Sequence, residues 1–218
     1  MGAIARNIAN NITTSGVFTS SAITNSSVTG ITVLANASDG ITLISSQTAS
    51  SSASISFTSG LTSTYKAYKF VFVNIHAATN DASLQFNLST DSGSNYNVTK
   101  TTTAFRALNS ETSGVTELAY TTGSDLAQGT GFQDLDAGGG IKNDNDIGLS
   151  GVLTIFNPSS TTYVKHFIAI TNQHTSDGYA HNSFIAGYGN TTSAVNAIQF
   201  KFDTGNIDDG KIYLYGIK

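Results

Sequence analysis

The feature that most constrains the fold of this 218-residue chain is a succession of short segments in which apolar and polar residues alternate, with turn residues between them. Residues 84–88 place Leu84, Phe86 and Leu88 between polar side chains. A period of two is that of a β-strand with one buried face. Similar segments lie at residues 54–57, 68–75, 115–120, 151–156, 163–170, 183–188, 197–202 and 211–217.

Composition disfavours helices in the same region. The chain has 28 Ser, 30 Thr and 19 Asn, which are 77 of 218 residues, and Glu111 and Glu117 are its only glutamates. Ser, Thr and Asn are poor helix formers, whereas Thr, Val, Ile and the aromatic residues favour strands. No helical crossover separates the segments, so we expect antiparallel pairing. The sequence therefore predicts an all-β protein, an antiparallel β-sandwich of jelly-roll type with about eight or nine strands.

Two segments carry additional expectations. Residues 68–75 are apolar on both faces, since Tyr68, Phe70 and Phe72 alternate with Val71 and Val73. This pattern predicts a central strand that is buried on both sides. Residues 121–146 are rich in Gly and Asp and predict a long surface loop.

The charges divide the chain into two regions. Arg6 and Asp39 are the only charged residues before Lys66, and the other 22 follow from there. We therefore predict an extended N-terminal arm at residues 1–40 and a jelly-roll body at residues 41–218. Apolar residues recur at helical spacing over residues 3–12, which is compatible with a short helix that needs a partner to be stable. Residues 30–34 and 40–44 have similar sequences. They are interpreted either as two short strands with similar turns or as an extended segment that pairs with neighbouring subunits.

An uncharged arm that carries many apolar residues is not typical of a solvated linker. We therefore predict that the arm anchors the protein to its partners, by apolar contacts and by strand addition. The predicted partner-binding residues of the arm are Ile4, Ile8, Ile12, Val17, Phe18, Ile23, Val28, Ile31, Val33 and Leu34.

Several functional classes are excluded by composition. The chain has no Cys, so it has no disulfides and no Cys-ligated metal site. With 10 Lys and Arg and a net charge of −4, we expect no nucleic-acid partner. No apolar run reaches 18 residues and no signal peptide is apparent, so we expect no membrane segment. No catalytic or cofactor-binding motif is present. We therefore predict no catalytic residues, no cofactor and no enzymatic activity.

Two weak metal-site alternatives remain open beside the interpretation as ordinary loop residues. His174 and His181 share a loop-like segment with Asp177, and imidazole with carboxylate suits zinc. Asp134, Asp136, Asp144 and Asp146 lie close in sequence, and loop carboxylates can hold calcium. Because neither spacing matches a defined site, no metal site is predicted.

Four stretches together resemble virion structural proteins of marine tailed bacteriophages, such as those of cyanobacteria. They are residues 88–96, 156–166, 186–200 and 205–217, and residues 4–9 resemble the start of phage fibre-like proteins. The resemblance implies a protein of the virion, on the capsid surface or the tail, made in the host cytoplasm. It contains no defined site, so no residue role follows from it.

The resemblance leads to two expected functions. The first is a capsid decoration (cement) protein, a homotrimer that binds the major capsid protein or other virion proteins through its arm. The second is a short tail or head fibre that binds a host surface glycan or protein, with Tyr179, His181 and Tyr188 stacking on sugars. A glycan depolymerase is less consistent with the sequence, because paired glutamates are lacking and the body is small. A lectin-like module without phage context remains a further alternative, which the gene neighbourhood would decide.

Overall fold

The computed structural model describes residues 40–112, 114–175 and 178–218, and residues 40–218 form a compact unit. Its described residues contain twelve β-strands and no helix, and hence no helix able to cross a membrane. The strands are β1 Ile41–Thr48, β2 Ile55–Phe57, β3 Ala67–Ala77, β4 Leu84–Ser89, β5 Lys100–Ser110, β6 Thr116–Tyr120, β7 Gln133–Asp134, β8 Leu149–Phe156, β9 Lys165–Thr175, β10 Tyr179–Gly189, β11 Ala197–Phe202 and β12 Ile207–Ile217.

The strands form two antiparallel sheets. The large sheet has the order β1-β12-β3-β8-β9-β10-β5-β6, and the small sheet has the order β2-β11-β4-β7. Four antiparallel pairs lie one inside the next along the sequence. The pairs β1–β12 and β3–β8 are in the large sheet, and the pairs β2–β11 and β4–β7 are in the small sheet. This is the strand order of a jelly roll, to which β9, β10, β5 and β6 add four strands in the large sheet. The predicted all-β antiparallel sandwich is confirmed.

Aromatic side chains join the two sheets in the core. The Phe200 ring of the small sheet lies 5.3 Å from that of Phe70 and 5.2 Å from that of Phe72, both on β3. Farther along, the rings of Phe86 on β4 and Phe167 on β9 are 5.1 Å apart and nearly perpendicular. These contacts fix which face of the large sheet is the inner one.

The expectation of a surface loop at residues 121–146 is wrong. Leu135, Ala137 and Ile141 are fully buried, and the segment contains β7. Thr171 Oγ1 on β9 donates a hydrogen bond to the Leu135 carbonyl, and Gln173 Nε2 donates to the Gly139 carbonyl at 2.5 Å. The connection therefore covers the inner face of the large sheet where the small sheet does not reach.

Residues 68–75 lie in β3, a central strand as predicted, but the expectation that both of its faces are buried is wrong for the described residues. Tyr68, Phe70 and Phe72 are at most 1% exposed, but Val73 on the opposite side is 40% exposed. The described residues cover only one face of β3. The arm residues predicted to bind partners, from Ile4 to Leu34, and the short helix at residues 3–12 lie outside the described residues.

Candidate interaction surface

The outer face of the large sheet, which points away from the core, is unusually apolar. Side chains alternate along each strand, so a residue paired across strands shares a face with its partner. On this face, register places seven apolar side chains side by side across seven strands, a set called the apolar row here. The apolar row consists of Tyr120, Phe105, Phe184, Ile170, Val152, Val71 and Tyr213 on β6, β5, β10, β9, β8, β3 and β12.

Most exposed large apolar side chains of the described residues gather on this face. Tyr120 is 52% exposed, and Phe105 and Ile170 are each 39% exposed. Nine of the eleven such side chains are on outward positions of the large sheet, and only Val115 and Tyr163 are elsewhere. Scattered exposed apolar residues are ordinary, but a contiguous apolar patch of this kind marks an interaction surface.

The same face carries almost no charge. The outward positions of β5, β6, β8, β9 and β10 contain no Asp, Glu, Lys or Arg. The outward lysines, Lys69 on β3 and Lys211 on β12, lie on the other half of the sheet. A natural edge or face that is exposed to water usually carries charged side chains. The outer face therefore has the composition of a surface that is covered by a partner.

Two aromatic pairs shape the surface. The rings of Phe105 and Phe184 stack with centroids 4.8 Å apart and an angle of 7° between their planes. The rings of His166 and Tyr188 lie 6.1 Å apart at the adjoining part of the face. A groove of about 410 Å³ is lined by His166, Tyr188 and Ala186 among others. The outer face thus has a partly exposed ring stack and, beside His166 and Tyr188, an apolar groove.

A second concavity, on the inner side, is polar. It has a volume of about 470 Å³ and is lined by Arg106, Lys142, Tyr179 and His181 among others. His181 is 2% exposed, and its Nε2 atom has no hydrogen-bond partner among the described residues. Burial, and secondarily the charge of Arg106, lowers the pKa of His181, so its ring is neutral at pH 7. A single buried water molecule would satisfy this atom.

The sequence-based site alternatives are not brought together by the fold. His174 and His181 are on opposite faces of the large sheet, so the alternative of a metal site shared by them is wrong. Asp177 lies outside the described residues. Tyr179 and His181 line the inner polar concavity, whereas Tyr188 is on the outer face. The three residues therefore do not form one sugar-binding platform.

The aspartate cluster also separates. Asp136 is fully buried, and burial with the nearby charge of Asp134 raises the pKa of Asp136 to about 7. Asp134 accepts a hydrogen bond of 2.7 Å from Gln85 Nε2. The Asp144 carbonyl lies 3.0 Å from His76 Nε2. Within the described ranges, no three His, Asp or Glu side chains come together as metal ligands.

The two glutamates serve separate contacts. Glu117 Oε1 accepts a hydrogen bond of 2.9 Å from Arg106 Nε. Glu111 Oε1 lies 3.4 Å from His174 Nε2. Each carboxylate thus lies beside a different basic side chain, and these contacts give no support to a glycosidase pair.

Comparison of the chain with protein-family models, with curated proteins and with solved structures found no match.

Sequence patterns did not identify the outer face as a site. The available signal was the two-sided apolar pattern of residues 68–75, which predicted a second covering layer but not where it would come from. The aromatic residues Phe105 and Phe184 are 79 positions apart, and their contact depends on β5 and β10 being neighbours.

Proposed function

We propose that this protein is a non-enzymatic structural protein of a virus particle, most specifically a decoration protein on a capsid surface. The observation that carries the proposal is the large, apolar outer face, almost without charge, on a β-sandwich. A chain with such a face is suited to assembly, because association removes the apolar side chains from water. The resemblance of residues 88–96, 156–166, 186–200 and 205–217 to phage virion proteins supplies the viral context.

In this proposal the arm at residues 1–40 makes the contact with the major capsid protein or other virion proteins. Its lack of charge and its spaced apolar residues favour burial against a protein surface. A protein that binds only the assembled shell stabilises that shell by mass action. Deletion of residues 1–40 should therefore leave a folded body that no longer binds particles.

The deletion is tested by incubating each protein with particles that lack it and separating bound from free protein by centrifugation. Far-ultraviolet circular dichroism of the shortened protein controls for folding. Loss of binding with an unchanged β spectrum supports anchoring through the arm. Full occupancy by the shortened protein would show that the arm is not the anchor.

A second candidate is a short fibre that binds a host glycan. The groove bordered by Tyr188, His166 and Phe156 favours it, since aromatic rings suit the apolar faces of sugars. Quantitative mass spectrometry of purified particles separates the two functions. A copy number comparable with that of the major capsid protein supports decoration, and a few copies per particle support a fibre. Absence from purified particles would reject both.

A further inference from the structure

We propose that the outer face of the large sheet is a two-fold interface between two copies of this chain, with the symmetry axis running along β9. The inference deepens the proposed structural function and rests on it for its biological meaning. It names one partner, a second copy of the chain, and the surface that this copy covers. A two-fold dimer thereby takes the place of the homotrimer that the resemblance led us to expect.

The chemistry of the face limits its occupant. A partner whose surface is rich in charged groups would bury them over β5, β10 and β9 without counter-charges, because these strands offer none on their outward positions. Burial of an unpaired charge is strongly unfavourable. The partner must therefore present an apolar, nearly uncharged surface of its own, and the same face of a second copy meets this condition.

The size of the face is sufficient for a stable dimer. The axis along β9 overlaps seven of the eight strands, since β1 has no counterpart beyond β6. Seven strands spaced about 4.8 Å apart span roughly 34 Å, and seven residues per strand at about 3.3 Å span roughly 23 Å. The product is on the order of 800 Å² for each copy, which is the area that each partner contributes to a standard protein interface. Two such faces can stack as sheets do in a sandwich.

The apolar row is complementary to itself about β9. Ile170 is its middle residue, with Phe184, Phe105 and Tyr120 on one side and Val152, Val71 and Tyr213 on the other. An axis along β9 exchanges the two sides. It places Phe184 over Val152 and Phe105 over Val71 of the second copy, so large aromatic residues meet small branched ones.

The same axis keeps the two outward lysines apart. In one row beside the apolar row, register aligns Thr103 on β5 with Lys69 on β3, so rotation about β9 brings Lys69 over Thr103 of the second copy. In the row on the other side, the rotation brings Lys211 on β12 over Leu118 of the second copy. Neither ammonium group is therefore brought against another lysine. In an isologous interface each such contact occurs twice.

The first test measures the mass of the full-length protein in solution across a range of concentrations. We expect about 45 kDa, twice the 22.7 kDa of one chain. Ile170→Lys should convert the protein to a monomer, because the two introduced ammonium groups would face each other on the axis. Val115→Lys is the matched control, since Val115 is 49% exposed and lies outside the large sheet.

The outcomes separate the possibilities. A wild-type protein that is monomeric at all concentrations, or trimeric, overturns the two-fold interface. A dimer that persists in Ile170→Lys overturns the assignment of this face. Circular dichroism of Ile170→Lys establishes that the variant is folded. These experiments use no virus particles. A negative result would therefore reject the two-fold interface only, and the proposed virion function is tested separately by particle binding and mass spectrometry.

Cross-linking tests the axis itself, and remains informative if Ile170→Lys fails to fold. The chain has no Cys, so introduced thiols are unique. The cross-linker is a bis-maleimide with a reach of about 10 Å, which matches the distance between stacked sheets. In the Ile170→Cys variant, the introduced thiol should cross-link to the same thiol of the second copy. Tyr120→Cys alone should not, whereas Tyr120→Cys combined with Tyr213→Cys should. Efficient cross-linking of Tyr120→Cys alone, or none in the combined variant, overturns the axis.

Discussion

Phe105 and Phe184 form a parallel ring stack on the outer face of the large sheet, with 4.8 Å between centroids and 7° between planes. The two residues are directly paired across β5 and β10. Phe105 is 39% exposed, so folding of the sheet removes this pair only partly from water. Such a pair contributes little to the core and is available to a partner.

We predict that Phe105→Ser weakens self-association much more than it weakens folding. Loss of one aromatic pair should lower the free energy of unfolding by about 1 kcal/mol, as measured by urea denaturation of dilute protein. The dissociation constant of the dimer, measured by sedimentation, should rise at least about tenfold, which corresponds to about 1.4 kcal/mol. Tyr163→Ser, at a residue outside the sheet, is the control. Equal dissociation constants for the wild type and Phe105→Ser would contradict the prediction.

The next prediction concerns a lysine that is buried without an acidic partner. Lys100 on β5 is fully buried, and its Nζ donates hydrogen bonds to Asn87 Oδ1 and, at 2.9 Å, to the Val98 carbonyl. Burial lowers the pKa of Lys100 from its ordinary 10.5 to about 7. Between these two values the unfolded chain holds one more proton than the folded protein. The free energy of unfolding therefore rises with pH across this window and is lower at pH 7 than at pH 9.

Replacement of the amine should remove this dependence. We predict that the wild type gains about 2 kcal/mol of stability between pH 7 and pH 9 relative to Lys100→Met. Guanidinium denaturation at the two pH values measures the difference. Lys66→Met is a control, because it removes an amine that is exposed to solvent. The same pH dependence in Lys100→Met and in the wild type would show that this group is not its source.

The sandwich was predictable because its signals are local. Alternating apolar residues in β4 and β11 and turn residues such as Asn157 and Pro158 indicate strands and their ends without knowledge of the tertiary structure. The pairing could not be predicted as easily. Ile41 pairs with Ile217 at opposite ends of the described chain, and this contact depends on how the whole sheet is assembled.

Two elements escaped prediction for a physical reason. β5 was missed because its inward positions include Lys100 and Thr102, so apolar residues do not alternate along its first half. Residues 121–146 were expected to be a surface loop, since they are rich in Gly and Asp. Leu135 is nevertheless fully buried, because the extension of the large sheet needs a cover that the small sheet does not supply.

Asp136, which lies in residues 121–146, should have a pH effect opposite to that of Lys100, because it makes the free energy of unfolding fall as the pH rises. Burial and the nearby charge of Asp134 raise the pKa of Asp136 from 3.8 to about 7. The folded protein therefore holds a proton that the unfolded chain releases between these values. The resulting stabilisation is complete below about pH 3.8 and is lost as the pH rises through about 7.

We predict that Asp136→Asn removes this loss, because an amide has nearly the shape of the neutral carboxyl group. The variant should gain stability relative to the wild type as the pH rises from 4 to 7.5, by an amount on the order of 4 kcal/mol. Urea denaturation at both pH values measures the change. Asp125→Asn, at a carboxylate bound to the exposed Tyr120 hydroxyl, is the control. A difference that does not depend on pH would contradict the prediction.

The core itself depends on Phe200, whose ring contacts that of Phe57 within the small sheet and those of Phe70 and Phe72 in the large sheet. We predict that Phe200→Ala lowers the free energy of unfolding by about 3–5 kcal/mol, through lost burial and the cavity that remains. Phe156→Ala is the matched control, because Phe156 is 41% exposed and makes no core contact of this kind. Urea denaturation of both variants compares the two sites. Similar losses at both would mean that the outer face is as well packed as the core, and therefore that a bound second copy covers it during the measurement.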